Sequence, residues 1–282
     1  PRREPVVETP SDSTTCRRLV SAAMTYARTN AESTYGLPLV DAISSNADPD
    51  RRKETIRRYW QLSAAAMDLA HAQSEVAELA GITRPPDSIQ QAALSAAQSI
   101  ARARLAETEL AWRMMQRELM EVVDQGAAGS PFPVDTPFIG RYKTNLSTYS
   151  EAGSLPEALR RIDLSLPWML ESIHARGDAV VALQAEFEDL KTEYRGGRVA
   201  LHELLRAFDT LRDQRLAFLA TTRDYNRLIA EYALTVAPGG MSPEAVVGML
   251  VKEPERSVMR DPNVRRTGWN EPSFDAWRSI SR

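Results

Sequence analysis

The chain has 282 residues, with 35 basic and 38 acidic side chains and a formal net charge of −3. This balance gives no electrostatic basis for nucleic-acid binding, which needs a basic face. No stretch reaches the roughly 18–20 apolar residues that a transmembrane helix requires. The single cysteine, Cys16, excludes an intramolecular disulfide. Charged and hydrophobic contents of 26% and 43% are ordinary for a folded protein.

The N-terminal part, residues 1–49, is predicted to hold a polar segment and a short helix. The first ten residues are polar and contain prolines, so we expect them to be disordered. Residues 11–29 can form a helix, and breaks follow at residues 36–38 and 46–49. The chain starts at Pro1 rather than at a methionine, which fits the removal of a leader or of a larger N-terminal part.

Residues 50–125 are predicted to form a first helical hairpin. Asp48 can cap a helix over residues 50–80, with Pro49 at its first position and Gly81 after its end. A second helix is expected over residues 88–124, antiparallel to the first because the turn is short. The residues predicted to face inward are Ile56, Tyr59, Trp60, Ala66, Met67, Ala70 and Ala77 in the first helix, and Ile89, Ala93, Ala96, Ile100, Ala103, Leu110 and Met114 in the second.

Residues 126–155 form a connection that is rich in glycine and proline, with a short helix expected near residues 142–149. Irregular connections of this length usually have a function or lie on a surface. No run of alternating β-branched or aromatic residues has strand length, so we expect no strand in the chain.

Residues 156–237 are predicted to form a second hairpin, because its apolar positions follow heptad spacing over about five heptads in each arm. Arg176 interrupts the series in the first arm, and Arg215 and Thr222 interrupt it in the second. Pro167 should kink or divide the first arm. The apolar positions are Leu159, Ile162, Leu166, Met169, Ile173, Val180, Leu183, Phe187, Leu190 and Tyr194, then Leu201, Leu204, Phe208, Leu211, Phe218, Tyr225, Ile229, Tyr232 and Val236.

The lengths of these arms determine the predicted shape. An arm of about 40 residues is ~60 Å long, whereas a compact domain of this size has a radius of gyration of ~19 Å. The predicted fold class is therefore all-α, with elongated antiparallel helical hairpins that pack like coiled coils. Residues 238–282 are expected to add a short helix over residues 243–251 and a flexible tail from Lys252.

A family resemblance lies in the turn and second arm of the second hairpin. Tyr194 and Gly197 match a Tyr-x-x-Gly pattern. Residues 204–211 then match a hydrophobic-Leu-x-Ala-x-x-x-Leu pattern, and Tyr225-Asn226 supplies a Tyr-Asn pair. This segment resembles the C-terminal hairpin of TolC-type outer-membrane efflux proteins. The resemblance covers roughly residues 50–237, and it is specific mainly over residues 190–232.

The resemblance implies a helical component of an efflux or export assembly in the cell envelope, at the periplasm or the outer membrane. In the family, three protomers form a helical tunnel whose hairpin tips meet a periplasmic adaptor protein. The implied partners are therefore an adaptor or a similar protein and, in a homotrimer, two further copies of the chain. The implied contact residues at the tips are Tyr194, Arg195, Gly196, Gly197, Arg198, Val199, Gly81 and Arg84.

This sequence departs from the family between the two hairpins. Family members insert a membrane barrel through strands at this place, and residues 126–154 do not resemble two membrane strands of ~10 residues. We therefore expect either the helical part without the barrel or a barrel that lies elsewhere, and membrane contact stays open.

Several residues have more than one interpretation. Gly196 and Gly197 can supply positive φ in a tight reversal, either at a docking tip or only as helix terminators. Arg176 and Arg215 are expected to extend past the seam into water, or else to set the register of the arms. Four aromatic side chains are expected to lie in the seam, and four carboxylates on a solvated face. The aromatic residues are Phe208, Phe218, Tyr225 and Tyr232, and the carboxylates are Glu186, Glu188, Asp189 and Glu193.

No catalytic chemistry is predicted. His71, His174 and His202 are far apart in sequence, and none of them pairs with a second ligand at helical spacing. The chain carries no phosphate loop and no nucleophile elbow, so we expect no enzyme, no cofactor and no metal site. The alternative to an efflux component is an elongated coiled-coil scaffold or adaptor that only binds other proteins.

Overall fold

The computed structural model describes residues 10–30, 34–44, 46, 48–123, 129–144, 146, 156–237 and 241–250. Most of these residues are helical, as the predicted all-α class requires. The predicted tail from Lys252 lies outside the described residues, and so does the N-terminal segment up to residue 9. The elements are α1 Pro10–Asn30, β1 Thr34–Leu37, α2 Leu39–Ser44, α3 Pro49–Ala80, α4 Ser88–Val122, β2 Ser130–Pro133, α5 Glu157–Arg195, α6 Leu201–Val236 and α7 Pro243–Leu250.

Local signals fix the bounds of the long helices. A carboxylate oxygen of Asp48 accepts the Asp50 amide N–H at 3.1 Å, and Pro49 is the first residue of α3, as predicted. Asp87 caps α4 in the same way, with the Gln90 amide N–H at 2.9 Å. These caps satisfy backbone donors that a helix N-terminus leaves open. α5 runs without interruption through Pro167, so this proline does not divide the helix.

α3 lies at the centre of the described structure, with α4, α1 and α6 packed against it. Along α4, the Gln98 side chain donates to the Leu79 carbonyl at 3.1 Å, and Arg58 pairs with Glu118 near the other end of both helices. The inward face predicted for α3 is buried at every predicted position except Ala77, which is exposed.

The inward face predicted for α4 is wrong. Ile89, Ile100 and Leu110 are 78%, 63% and 62% exposed, and Met114 is exposed as well. The buried face of α4 is a different one, formed by Leu94, Ala101, Trp112, Gln116 and Leu119. The error has a physical cause, because α4 carries two apolar series at helical spacing and periodicity alone does not tell which one meets α3.

The second pair of long helices, α5 and α6, is in contact along the chain. Every apolar position of both series is buried or half-buried. Phe187 and Phe208 meet across the pair with ring centroids 5.8 Å apart. The four aromatic residues assigned to the α6 series are all buried, as predicted.

Two short strands contradict the expectation of no strand. β1 and β2 pair in parallel, with Thr34 opposite Ser130 and Leu37 opposite Pro133. Each strand has four residues and includes glycine or proline, so neither shows the alternating pattern of a longer strand. Residues 142–144 of the predicted short helix are not helical, and most of the remaining residues lie outside the described part.

Tyr59 of α3 anchors the residues that follow β2. Its hydroxyl donates to the Asp135 carboxylate at 2.8 Å and accepts the Asp135 amide N–H at 3.0 Å. The same carboxylate accepts the Leu39 amide N–H at 2.7 Å. Burial raises the pKa of Tyr59, so the phenol stays protonated as a donor.

α1 crosses α3 and α5, and its contact with α5 depends on a glycine. A Cβ built on Gly177 would lie 2.5 Å from the Cys16 sulfur and 3.5 Å from the Phe218 ring. Cys16 is fully buried, and its thiol points at the Ile173 carbonyl at 3.6 Å. The missing side chain at Gly177 therefore allows α1 to approach.

We expect Gly177→Ala to displace α1 from α5. Overpacking of this kind lowers the free energy of unfolding by about 1–3 kcal/mol. The Cys16 thiol should also become accessible, and the rate of its reaction with a thiol reagent measures this directly.

Gly248→Ala is the matched control, because a Cβ there meets nothing within 4 Å. It should not lower the stability, because alanine favours a helix over glycine, and it should leave the thiol reaction unchanged. Adding Cys16→Ala to Gly177→Ala removes the clashing sulfur and should recover part of the lost stability. A Gly177→Ala protein that reacts as slowly as the wild type would contradict the described contact.

Candidate protein-docking surface

The structure brings the two predicted contact turns together. The first turn is residues 81–87, between α3 and α4, and the second turn is residues 196–200, between α5 and α6. The Tyr194 hydroxyl, at the end of α5, donates to the Thr83 carbonyl of the first turn at 3.2 Å, which brings the two turns side by side. Six of the eight predicted contact residues are exposed, and Tyr194 and Val199 are partly buried. The turns therefore form one continuous surface.

The backbone of the second turn is only partly as predicted. Gly197 has a φ of +70°, in the left-handed region that favours glycine. Gly196 ends α5 with a φ of −78°, which any residue adopts, so the expectation of positive φ at Gly196 is wrong. The Gly196 amide N–H donates to the Thr192 carbonyl at 3.1 Å.

Three arginines lie at or beside the joined turns. Arg84, Arg195 and Arg198 are all exposed. Arg198 donates to the Glu193 carboxylate at 2.7 Å, and Arg84 donates to the Gln91 side-chain oxygen at 2.7 Å. These bonds hold two of the guanidinium groups in place while leaving them exposed to solvent.

A second surface runs along α4, which we call the α4 seam. Its apolar members are Ile89, Ala93, Ala96, Ile100, Ala103, Leu110 and Met114, all exposed. They are spaced alternately by four and three residues, with Glu107 at the one remaining position. At about 100° per residue, the α4 seam lies on the side of the helix roughly opposite its buried face. This is the pattern of a coiled-coil seam.

A buried charged cluster joins the long helices below the turns. Arg215 of α6 is 3% exposed and Glu78 of α3 is 8% exposed. Arg215 Nη1 donates to one Glu78 carboxylate oxygen at 3.2 Å, and Arg215 Nη2 donates to the other at 2.9 Å. Nη2 also donates to the side-chain oxygen of Gln184 in α5. The expectation that Arg215 extends into water is therefore wrong, because its charge is neutralised inside the protein.

A second ion pair lies next to the first. Glu75 of α3 is buried, and its carboxylate forms a salt bridge with Arg104 of α4. Burial raises the pKa of the Glu75 carboxyl, and Arg104 opposes this rise. His71 lies one turn before Glu75, and burial together with Arg215 and Arg104 lowers its pKa to about 3. The imidazole is thus neutral at physiological pH.

Sequence reasoning missed most of this cluster. Glu78 and Arg215 are 137 positions apart, so no local spacing connects them. The one available signal was Arg215 itself, a charged residue at a position where the seam requires an apolar one.

The described residues contain no group of three or more His, Cys, Asp or Glu side chains that could hold a metal ion. Among the described helices, none combines the length and apolar character needed to cross a membrane. Comparisons with family models, with curated proteins and with solved structures find no significant match. The predicted TolC-type resemblance therefore stays a prediction.

We expect Arg215→Leu to destabilise the protein by about 3–5 kcal/mol, because it leaves the Glu78 carboxylate buried without its counter-charge. Urea unfolding followed by circular dichroism measures this loss. The double variant Arg215→Leu with Glu78→Leu should be more stable than Arg215→Leu alone, since both charges are then absent.

Arg57→Ala is the control for that experiment, because Arg57 and Glu54 form an exposed ion pair on α3. Removing it should change stability by less than about 1 kcal/mol. A small effect of Arg215→Leu, similar to that of Arg57→Ala, would contradict the buried pairing.

His71 should make stability fall as the pH falls. Its folded pKa of about 3 is below the unfolded value of 6.5, so its contribution is complete above pH 6.5 and is lost as the pH falls toward 3. Between pH 7 and pH 5 the wild type should lose about 2 kcal/mol more than His71→Gln. Urea unfolding at the two pH values measures the difference.

His202→Gln is the matched control, because the His202 side chain is 81% exposed. Its stability should depend on pH as the wild type's does. Equal pH dependence in the wild type and in His71→Gln would show that His71 does not lie in a neutral, buried position.

Proposed function

We propose that the chain is a non-enzymatic, TolC-like helical component of an outer-membrane-type efflux or export assembly. In this proposal the α4 seam packs against helices of neighbouring copies and forms part of a conduit wall. The joined turns contact a periplasmic adaptor protein. The observation that carries the proposal is the α4 seam, a heptad series that nothing in the described part of the chain covers.

The helix contacts support a hairpin architecture. Leu79 meets Gln98 close to the first turn, and Arg58 meets Glu118 far from it, as two antiparallel helices require. α5 has 39 residues, so it spans about 58 Å at 1.5 Å per residue. A rod of such helices fits a conduit wall better than it fits a compact enzyme.

The exposure of the α4 seam supports assembly with other helices. Burying apolar surface contributes about 25 cal/mol for each Å² removed from water, and a contiguous apolar face of this length marks an interaction site. The first half of the α4 seam also borders a groove of about 230 Å³, which is closed on its other side by Leu205 and Phe208 of α6. A helix from another copy can therefore contact α4 and α6 together.

The joined turns support a contact at the end of the hairpins. Exposed arginines are frequent anchors of protein interfaces, because a guanidinium group binds carboxylates and carbonyl oxygens with fixed geometry. The Tyr194 contact with the first turn holds both turns in one orientation. A partner would meet a preorganised surface, which lowers the entropy lost on binding.

The α4 seam also fits a second function, an elongated coiled-coil scaffold that only binds other proteins. A scaffold needs only one seam to pack against a partner helix, whereas a conduit wall needs several copies of the chain that close a ring. The number of chains in the assembly therefore discriminates the two functions.

We expect the wild type to form a trimer, and Leu110→Glu to form monomers, because the substitution places a charge in the α4 seam. Leu164→Glu on α5 is the matched control, since Leu164 is 69% exposed and does not belong to the α4 seam. It should leave the trimer intact. Light scattering after size-exclusion chromatography measures the masses.

A wild-type monomer, or a Leu110→Glu protein with an unchanged trimer mass, would contradict a conduit wall built through the α4 seam. A wild-type dimer that Leu110→Glu dissociates would favour the scaffold.

A further inference from the structure

We propose that the outer face of α5 in the next copy of the chain covers the second half of the α4 seam, with Glu107 of one copy paired with Arg176 of the other. This inference rests on the proposed assembly through the α4 seam, and it names the surface that the seam meets. It concerns the part of the seam from Ala103 to Met114.

The four long helices form a row with two open edges. α4 packs on α3, α3 packs on α6, and α6 packs on α5. α4 and α5 are therefore the two outer helices of the row. A cyclic axis brings one edge of each copy against the opposite edge of the next copy, so α4 meets α5.

Both outer helices carry exposed apolar side chains. In the described part of the chain, every large hydrophobic side chain that is well exposed lies on α4 or α5. On α5, Trp168 is 65% exposed and begins a narrow apolar strip. The members of this α5 strip are Trp168, Ala175, Ala179 and Ala182, all exposed or half-buried. Small side chains allow another helix to approach closely, so the α5 strip can pack against Leu110 and Met114 of the α4 seam.

Contacts within one copy relate the heights of α4 and α5. Ala97 and Ala101 of α4 line one groove with Phe208 of α6, and Phe208 meets Phe187 of α5. These residues therefore lie at about the same height. α4 begins at the first turn and α5 ends at the second, so the two helices run in opposite directions. Each residue further along α4 matches a residue earlier in α5, at a rise of about 1.5 Å.

Four unpaired charges match at these heights. A cyclic axis that runs along the helices keeps the height of each residue from copy to copy. Glu107 then lies within about one helical turn of Arg176, and Arg113 within about one turn of Glu171. Arg176 is half-buried and the other three are exposed. None of the four forms an ion pair with another described residue, so each is available to a neighbouring copy.

The positions of these residues around each helix agree as well. At about 100° per residue, Glu107 and Arg113 are about 120° apart around α4, and Arg176 and Glu171 are about 140° apart around α5. When the two helices face each other antiparallel, the side that carries Glu107 meets the side that carries Arg176. Arg113 then meets Glu171. Asp178 is about 160° from Arg176 around α5, so it lies on the Glu171 side and away from Glu107.

The contact is limited at both ends. Leu164 is level with the last residues of α4, so it lies outside the contact. Towards the turns, the outer face of α5 carries Glu186, Asp189 and Glu193, and these carboxylates stay in water. The α5 strip between these limits therefore faces the second half of the α4 seam.

The first test exchanges the charges of the pair. Glu107→Arg and Arg176→Glu each bring like charges together between copies, so each variant should dissociate at a concentration at least about tenfold above that of the wild type. The double variant Glu107→Arg with Arg176→Glu restores opposite charges and should recover the assembly. Analytical ultracentrifugation of the full chain over a range of concentrations measures the dissociation.

Glu109→Arg is the matched control. Glu109 is exposed on α4, but it lies about 160° from Glu107 around the helix and outside the α4 seam. This variant should assemble like the wild type. Circular dichroism verifies that each variant is folded.

The second test identifies the partner surface by cross-linking. Leu110→Cys with Ala175→Cys, in a Cys16→Ala chain, should give covalent trimers with 1,2-bis(maleimido)ethane, because these two thiols meet only between copies. Each single cysteine variant should give no covalent product. A cross-link of Leu110→Cys alone would overturn the proposal, because it would place the α4 seams of two copies against each other.

The two proposals can fail separately. A wild-type trimer that Leu110→Glu dissociates, without recovery in the charge-exchanged double variant, would overturn the contact with α5 and leave the proposed assembly standing. A wild-type monomer would overturn both.

Discussion

The ion pair of Arg215 and Glu78 is the constraint on which the arrangement of the long helices depends. A charge removed from water is strongly unfavourable unless a counter-charge and hydrogen bonds meet it in the right geometry. The pair lies between α3 and α6, and Gln184 brings α5 into the same network. Sliding α6 by one helical turn, about 5.4 Å, would leave both charges without partners. Apolar seams alone tolerate such slips far better, so the charged residues supply the register that the apolar residues do not.

The central position of α3 explains where the candidate surfaces lie. α3 packs against α1, α4 and α6, so its own surface is largely used within the chain. α4 lies on the outside of this group, and one apolar series of α4 is enough to hold it against α3. Its second series is then left exposed as the α4 seam. In the proposed assembly, a helix that carries two apolar faces thus serves both the fold and an interface.

The sequence predicted a feature correctly where a local residue pattern allowed only one interpretation. Asp48, Pro49 and Gly81 mark the ends of α3 by chemistry that does not depend on the rest of the fold, and the α5 and α6 series each contain a single apolar face. It failed where the outcome depended on distant partners. The apolar series of α4 were indistinguishable by period, and the fate of Arg215 depended on Glu78. The four-residue strands pair two segments almost one hundred positions apart in sequence (Thr34 with Ser130). Of the candidate site, the turn residues were identified from sequence, but the link through Tyr194 was not.

The same physical requirement applies to Arg215, which is buried inside the chain, and to Glu107, which lies in the α4 seam. Inside the chain, the charge of Arg215 is tolerated in an otherwise apolar seam because it forms an ion pair with Glu78. On the α4 seam, Glu107 occupies a heptad position between Ala103 and Leu110, and it is exposed in the described structure. In the proposed assembly a partner helix would cover this carboxylate and remove it from water, which is unfavourable without a cation opposite. The helix that packs on the α4 seam must therefore present a lysine or arginine at the level of Glu107, and this requirement would select both the partner and its register.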